Sequence, residues 1–296
     1  MDYNEFILKN RKYLIPLILF LLAFTPRAYY MNDGLFHTDS VFQAIALEGT
    51  VDDLHFTYKH PPGYPGQVVA GSIVYVFFKI FTGAQNAETA ATFTSVLTGS
   101  LAVVAMYFFA KEFLESEKSG MYAAILLSFT PVFLSVTTYA KSHGTEILFL
   151  LLSAYYAVVA GKTGGDRHKI LAGFCLGYST AVRVTSVIFT PILFLTYWSY
   201  RPPLSFKRSE SSLKVMLGGK PSEVLKDAAK LLLPSIIVPV ILYLPQTLSK
   251  GLKPFEVIST RANFLGLFSP MLSQSIEWIS FSFKSVGWIF MAAGLI

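Results

Sequence analysis

Asp39, Lys59, His60, Lys141, His143, Glu146, Arg183 and Arg261 are ionisable residues at the margins of long apolar stretches. Charge at membrane depth is costly, and the side chains kept there are functional candidates. Lys59-His60-Pro61-Pro62-Gly63-Tyr64-Pro65 is a stiff turn, because each proline fixes its own φ and pushes the preceding residue towards extended geometry. An ammonium and an imidazole held still in this way suit a phosphate oxygen. Arg183 lies in GYSTAVRVTSVIF with no Asp, Glu, Lys or Arg between Lys169 and Arg201, so its guanidinium suits an anionic headgroup. Together these residues point to chemistry on something that the membrane carries.

Each candidate also has a purely structural reading. Asp is favoured as a helix N-cap, but Ser40 and Gln43 have the spacing of a capping box, which predicts a free carboxylate on Asp39. Gln43 falls on the same helical face as Asp39, and Phe42 with Ala46 and Val41 with Ile45 form an apolar stripe. That pattern predicts a helix lying in the membrane interface with its acid at one end. The Lys-His-Pro-Pro turn also serves as an element boundary, with Lys59 reaching headgroups. An acid in the first turn of a helix is favoured by the dipole, which alone accounts for Glu146, although Lys141 and His143 crowd the same boundary. Arg183 fits a hairpin turn whose guanidinium snorkels to the interface.

Composition defines what positions these residues. Hydrophobic residues make up 53% of the 296 and charged residues 14%, well below the usual quarter. Several runs of about 20 apolar residues identify an integral membrane protein of helices. A single cysteine, Cys175, excludes an internal disulfide and a cysteine-rich metal site. Basic residues precede the first apolar run and no small-residue cleavage site follows it, so that run is read as a retained span. The expected fold is all-α: a polytopic transmembrane bundle forming one integral domain over 1–296. Residues 31–86 are its first extracytoplasmic loop, carrying juxtamembrane helices, and 201–230 is a basic cytoplasmic loop.

Apolar runs fall at 13–30, 65–82, 88–110, 119–138, 147–161, 170–198, 231–248 and 276–296. The net charge of +6 is concentrated near the N-terminus and in the linkers 111–118, 162–169 and 201–230, which the positive-inside rule assigns to the cytoplasm. Simple alternation of spans puts the two shorter linkers outside. Two changes bring all three inside: 65–82 lies along the outer face without crossing, and 170–198 is a hairpin of two short helices turning near Arg183. The N-terminus is then cytoplasmic and the candidate residues share the extracytoplasmic face.

The order of these features resembles the GT-C superfamily of membrane glycosyltransferases. More narrowly, it resembles the group of protein O-mannosyltransferases and aminoarabinose transferases (glycosyltransferase families 39 and 83). The resemblance is carried by His37-Thr38-Asp39-Ser40 after a first span, by Lys59-His60-Pro61-Pro62, by FTPVFLSVTTYAKSHGTEILFLLLSAYY, and by GFCLGYSTAVRVTSVIFTP with Arg183 and Pro191. It covers roughly 13–200. Members often have Asp where this chain has Glu146, and many have an Asp-Glu pair where it has Asp39-Ser40. They usually have further spans, so against that family the chain is expected to be truncated at its C-terminus.

The resemblance implies transfer of one sugar from a polyprenyl (dolichyl) phosphate donor to an acceptor hydroxyl on a protein, lipid or glycan, with inversion. Asp39 and Glu146 would be catalytic, with Asp39 taking the acceptor proton. Lys59, His60 and Arg183 would bind the donor phosphate, and Lys141, His143 and Arg261 would be accessory. Related enzymes differ in metal use; a divalent cation shared by Asp39 and Glu146 is compatible with their hard oxygen ligands. Membrane lipid is an expected partner and nucleic acid is not. Two competing readings remain: a transporter or flippase for a lipid-linked or anionic solute, and an inactive truncated homologue.

Overall fold

A computed structural model describes residues 3–32, 34, 35, 37–54, 56, 64–83, 86–201, 204–209, 212–217 and 221–250. The chain divides into two compact units, Met1–Ser249 and Lys250–Ile296, and the helices named here belong to the first, apart from Lys250, the last residue of the final helix. Lys59, His60, Arg261, the loop 251–275 and the apolar run 276–296 lie outside the described residues.

Local signals in the sequence set the helix ends. Helices α1 (Tyr3–Tyr29) and α2 (Thr38–Val51) are followed by α3 (Pro65–Thr82), which opens with proline in its first turn and closes on Gly83 at φ 67. Asn86 caps α4 (Ala87–Phe113) by accepting from the Thr89 amide at 3.1 Å. Ser116 does the same for Ser119 at the start of α5 (Glu117–Phe129). Pro131 separates α5 from the short α6 (Pro131–Val136), so the apolar run 119–138 is two helices rather than one. α7 (His143–Thr163) ends on Gly164 at φ 70. α8 (Asp166–Val182) stops at Arg183, whose φ of −147 and ψ of 121 are extended, and a 3-10 turn (Val184–Phe189) leads into α9 (Thr190–Tyr200). A hairpin follows, β1 (Leu204–Ser209) antiparallel to β2 (Ser212–Leu217), and then α10 (Pro221–Lys250). Apart from this hairpin the architecture is an all-α polytopic bundle.

Two ends of the bundle can be identified from contacts. At one, Arg11 pairs with Glu117 at 3.1 Å, Lys162 with Glu115 at 3.1 Å, and Lys230 with Asp166 at 2.5 Å. Tyr200 donates to the Phe113 carbonyl at 2.7 Å and Tyr197 to Asp227 at 2.6 Å, while buried Lys169 meets both Asp166 and Asp227. This basic end therefore gathers the start of α1, the α4–α5 and α7–α8 linkers, the finish of α9 and the start of α10. At the other end, Ser95 of α4 meets Lys141, Thr145 of α7 donates to Thr98 at 3.2 Å, and Arg183 meets His143. α8 thus runs from the basic end to the opposite end, turns at Arg183, and α9 returns, as the hairpin reading of 170–198 expects.

Among the described residues, five helices are long and apolar enough to cross a membrane: α1 from Asn10, α3, α4, α7 and α10 from Ser222 to Leu248. The contacts of α3 argue otherwise for that helix. Its first turn sits beside Ala181 and Val182, with Tyr178 donating to the Gly66 carbonyl at 2.8 Å. Its last turn leads within a few residues to Asn86, at the same end. α4 passes the Lys141 level at Ser95 and reaches the basic end only at Phe113. Both termini of α3 therefore lie at the end away from the basic linkers. α2 runs parallel beside it, Leu47 against Gly71 and Asp52 accepting from Tyr75 at 3.1 Å.

α4 and α7 pack closely, and small residues make it possible. A Cβ on Gly144 would stand 2.9 Å from Thr98 Oγ1 and 3.0 Å from the Gly99 nitrogen, so backbone meets backbone here as membrane helices favour. Leu17, Ile18 and Leu21 on α1 and Ile236, Ile237 and Val240 on α10 stay exposed, an apolar flank that suits lipid.

Candidate active site

The segment 137–142, between α6 and α7, supports the site and is bonded at nearly every residue. The Asn32 amide donates to the Thr138 carbonyl at 3.0 Å. The Tyr139 ring stacks with His37, centroids 6.5 Å apart. Ser40 Oγ donates to the Ala140 carbonyl at 2.6 Å. Ser95 Oγ accepts from the Lys141 amide at 3.0 Å and donates to its carbonyl at 2.6 Å. Three separate parts of the chain (the α1–α2 loop, α2 and α4) therefore fix where Lys141 stands.

Lys141 Nζ lies 3.5 Å from Asp39 Oδ2 in the first turn of α2, with about a third of the Asp39 side chain exposed. The capping box expected at Ser40 and Gln43 is not formed. The N-cap is His37, without a side-chain cap, and Ser40 is already inside the helix. A tertiary acceptor, the Ala140 carbonyl, has taken its hydroxyl. Gln43 is buried, and its Oε1 has no hydrogen-bond partner. The buried face of α2 is Ser40, Gln43, Ala44 and Leu47, with Ala46 beside it, while Val41 is exposed. The apolar stripe expected at Val41 and Ile45 is thus not the packed face, because α3 and α4 rather than lipid meet the other side.

Arg183, Glu146 and His143 form a second cluster. Arg183 Nε is 3.5 Å from Glu146 Oε2, and one terminal nitrogen lies 2.6 and 2.9 Å from the two ring nitrogens of His143. A guanidinium carries only donors, so the ring meets it through an acceptor nitrogen. Glu146 Oε1 accepts from Ser186 Oγ at 2.7 Å, and Ser186 is 3.1 Å from Ser179 Oγ, which donates to the Glu146 carbonyl at 3.1 Å. Glu146 is only 12% exposed; the Ser186 hydroxyl and the Arg183 cation together satisfy that sequestered charge. The extended backbone at Arg183 makes this possible, because it turns the chain so that Ser186 and Arg183 face Glu146 from the same side.

Tyr64, the N-cap of α3, lies within electrostatic reach of both clusters. Its phenol is pushed up by burial, with Asp39 and Glu146 adding to the shift and Arg183 opposing it, so it stays a hydrogen-bond donor at neutral pH. Sequence reasoning passed over Tyr64, Ser186 and Ser179. Tyr64 could have been found from its place at the end of the Lys-His-Pro-Pro turn, whereas the two serines carry no signal within an apolar span. Among the described residues no group of three His, Cys, Asp or Glu side chains could hold a metal ion. The oxygens of Glu146 meet Ser186 and Arg183, and Asp39 faces Lys141.

The structure thus places Asp39, Lys141, His143, Glu146 and Arg183 at one end of the bundle. No curated protein matches the chain. Residues 59–218, more than half of the chain, match the family described as dolichyl-phosphate-mannose-protein mannosyltransferase. That stretch takes in the Lys-His-Pro-Pro turn, the segment carrying Lys141 to Glu146, and the break at Arg183. The chain belongs to this family of GT-C-type membrane glycosyltransferases.

Proposed function

We propose that the chain moves one sugar from a polyprenyl (dolichyl) phosphate donor to an acceptor hydroxyl at the extracytoplasmic membrane face. The observation that carries this reading is the placement of the Asp39–Lys141 pair and the Arg183–Glu146 pair at the same end of the bundle, opposite the basic linkers. The positive-inside rule makes the basic end cytoplasmic and so favours the outer side for the site.

In this reading the acceptor oxygen attacks the anomeric carbon, and the bond from that carbon to the phosphate oxygen breaks. The electron pair leaves with the lipid phosphate. Asp39, the more exposed of the two carboxylates, takes the acceptor proton. Arg183 meets the charge growing on the departing phosphate, joined by Lys59 and His60, which precede Tyr64 by five and four residues. Glu146, already engaged by Ser186, holds Arg183 in place and completes the catalytic set. Attack opposite the leaving group inverts the anomeric centre. Lys141 keeps Asp39 oriented, and Tyr64 offers a phenol to the same space. Arg261 is assigned an accessory role from its sequence alone. The acceptor is a protein, lipid or glycan hydroxyl.

The test is incubation of membranes containing the full chain with radiolabelled polyprenyl-phospho-sugars, followed by tracing of the label. Label should reach an acceptor with wild type and not with Asp39→Asn. Equal labelling by both would remove Asp39 from the mechanism, and no transfer by wild type from any such donor would end the reading.

A further inference from the structure

We infer that Arg27 is a positioning residue: its guanidinium fastens the segment 137–142 to α1 and so sets the Lys141–Asp39 pair. Only the consequence for sugar transfer rests on the proposed function; the fastening stands on geometry.

Arg27 sits in the last turn of α1 and is completely buried. No ion pair joins it to an acid among the described residues. Its partners are neutral: Nε donates to Thr137 Oγ1 at 2.9 Å, and the two terminal nitrogens donate to the carbonyls of Ala23 at 2.8 Å and Ser128 at 3.3 Å. The Phe133 ring centroid lies 5.1 Å from Cζ. Burying a cation without a counter-charge is costly, and an apolar side chain of similar size would pack the site at lower cost. What the guanidinium adds is a rigid fork of donors. Here the fork spans α1, the end of α5 and the first residue after α6. Thr137 is pressed against α4 as well, since a Cβ on Gly99 would lie 2.7 Å from it. Lys141 follows four residues later, and Arg27 secures the start of the segment whose middle and end are held by Asn32, Ser40 and Ser95.

Arg27→Met keeps the bulk and removes the fork. Thr137 Oγ1 still donates to the Phe133 carbonyl at 2.7 Å, so its hydroxyl hydrogen keeps a partner. Thr137→Val removes the acceptor and leaves Arg27 intact. A carbodiimide joins a carboxylate to an amine in contact with it and reads the Asp39–Lys141 pair without requiring activity. The Glu115–Lys162 pair, 3.1 Å apart at the basic end, is the control in the same sample. In the full chain in detergent, Arg27→Met should lower the Asp39–Lys141 link, counted by mass spectrometry, by about tenfold or more, the scale of one lost charge-assisted hydrogen bond. The Glu115–Lys162 link should not change, and Thr137→Val should move the first link in the same direction by less. An unchanged Asp39–Lys141 link in both variants, or an equal fall of both links, overturns the inference. A selective fall in a preparation whose wild type transfers no sugar would uphold the fastening while removing the transferase reading.

Discussion

Lys141 Nζ lies 3.5 Å from Asp39 Oδ2, which ties the first turn of α2 to the segment that leads into α7. The pair is neither deeply buried nor fully solvated, so it orients the carboxylate without locking it away from a substrate. Asp39→Asn keeps the volume and an oxygen for Lys141 but cannot take a proton. Transfer should fall about 10²- to 10⁴-fold, the usual worth of a positioned base. Membrane insertion and elution from a sizing column should stay as in wild type. Radiolabel transfer from a polyprenyl-phospho-sugar measures the first quantity.

Arg183 faces Glu146 and His143 from the break after α8, and its proposed work is on the donor phosphate. Arg183→Ala should therefore raise the KM for the lipid-phosphate donor more than the KM for the acceptor. Equal loss on both sides would assign Arg183 a structural role. Glu146→Gln still offers an oxygen to Ser186 but no charge to Arg183, so its defect should fall on the same side. Because the two residues act through one contact, the double variant should be less impaired than the product of the single effects, with a coupling of about 1–3 kcal/mol in a double-mutant cycle.

The grouping of charged residues at one end was legible because the positive-inside bias is a property of linkers, and linkers are easy to find. The turn at Arg183 was legible because 170–198 is too long for one span of about 20 residues. The cap of α2 was not: Ser40 has the spacing of a capping residue, but its hydroxyl went to the Ala140 carbonyl, a partner invisible along the chain. Ser186 and Ser179 were hidden for a related reason, since an uncharged hydroxyl in an apolar run looks the same whether it bonds its own helix or a carboxylate on another. The break before α6 was announced by Pro131 and missed because the apolar run continues through it.

Gly173 bears on the stability of the bundle more than on the site. A Cβ there would lie 2.1 Å from the Leu231 carbonyl oxygen of α10, and backbone cannot yield as a flexible side chain can. Gly173→Ala should force α8 and α10 apart and cost about 1–3 kcal/mol by overpacking. A lowered midpoint in denaturing-detergent titration would register it. An unchanged midpoint would mean that α10 adjusts freely against α8.

The path of α3 decides which residues share a membrane face. Its length and apolarity alone would allow it to cross, but its first turn rests on the end of α8 and its last leads straight to the cap of α4. Single cysteines at exposed positions separate the two paths, since the native Cys175 is buried. A membrane-impermeant thiol reagent should label His37→Cys and Asn86→Cys from the same side and Glu115→Cys only from the other. If α3 crossed, Asn86→Cys would label from the side opposite His37→Cys, Glu115→Cys at the far end of α4 would label from the same side as His37→Cys, and Asp39 would no longer share a face with the start of α4. The side that labels His37→Cys in sealed, oriented vesicles also fixes which compartment Asp39 faces. The positive-inside rule predicts the extracytoplasmic one, because Lys162, Lys169 and Lys230 all sit with Glu115 at the opposite end.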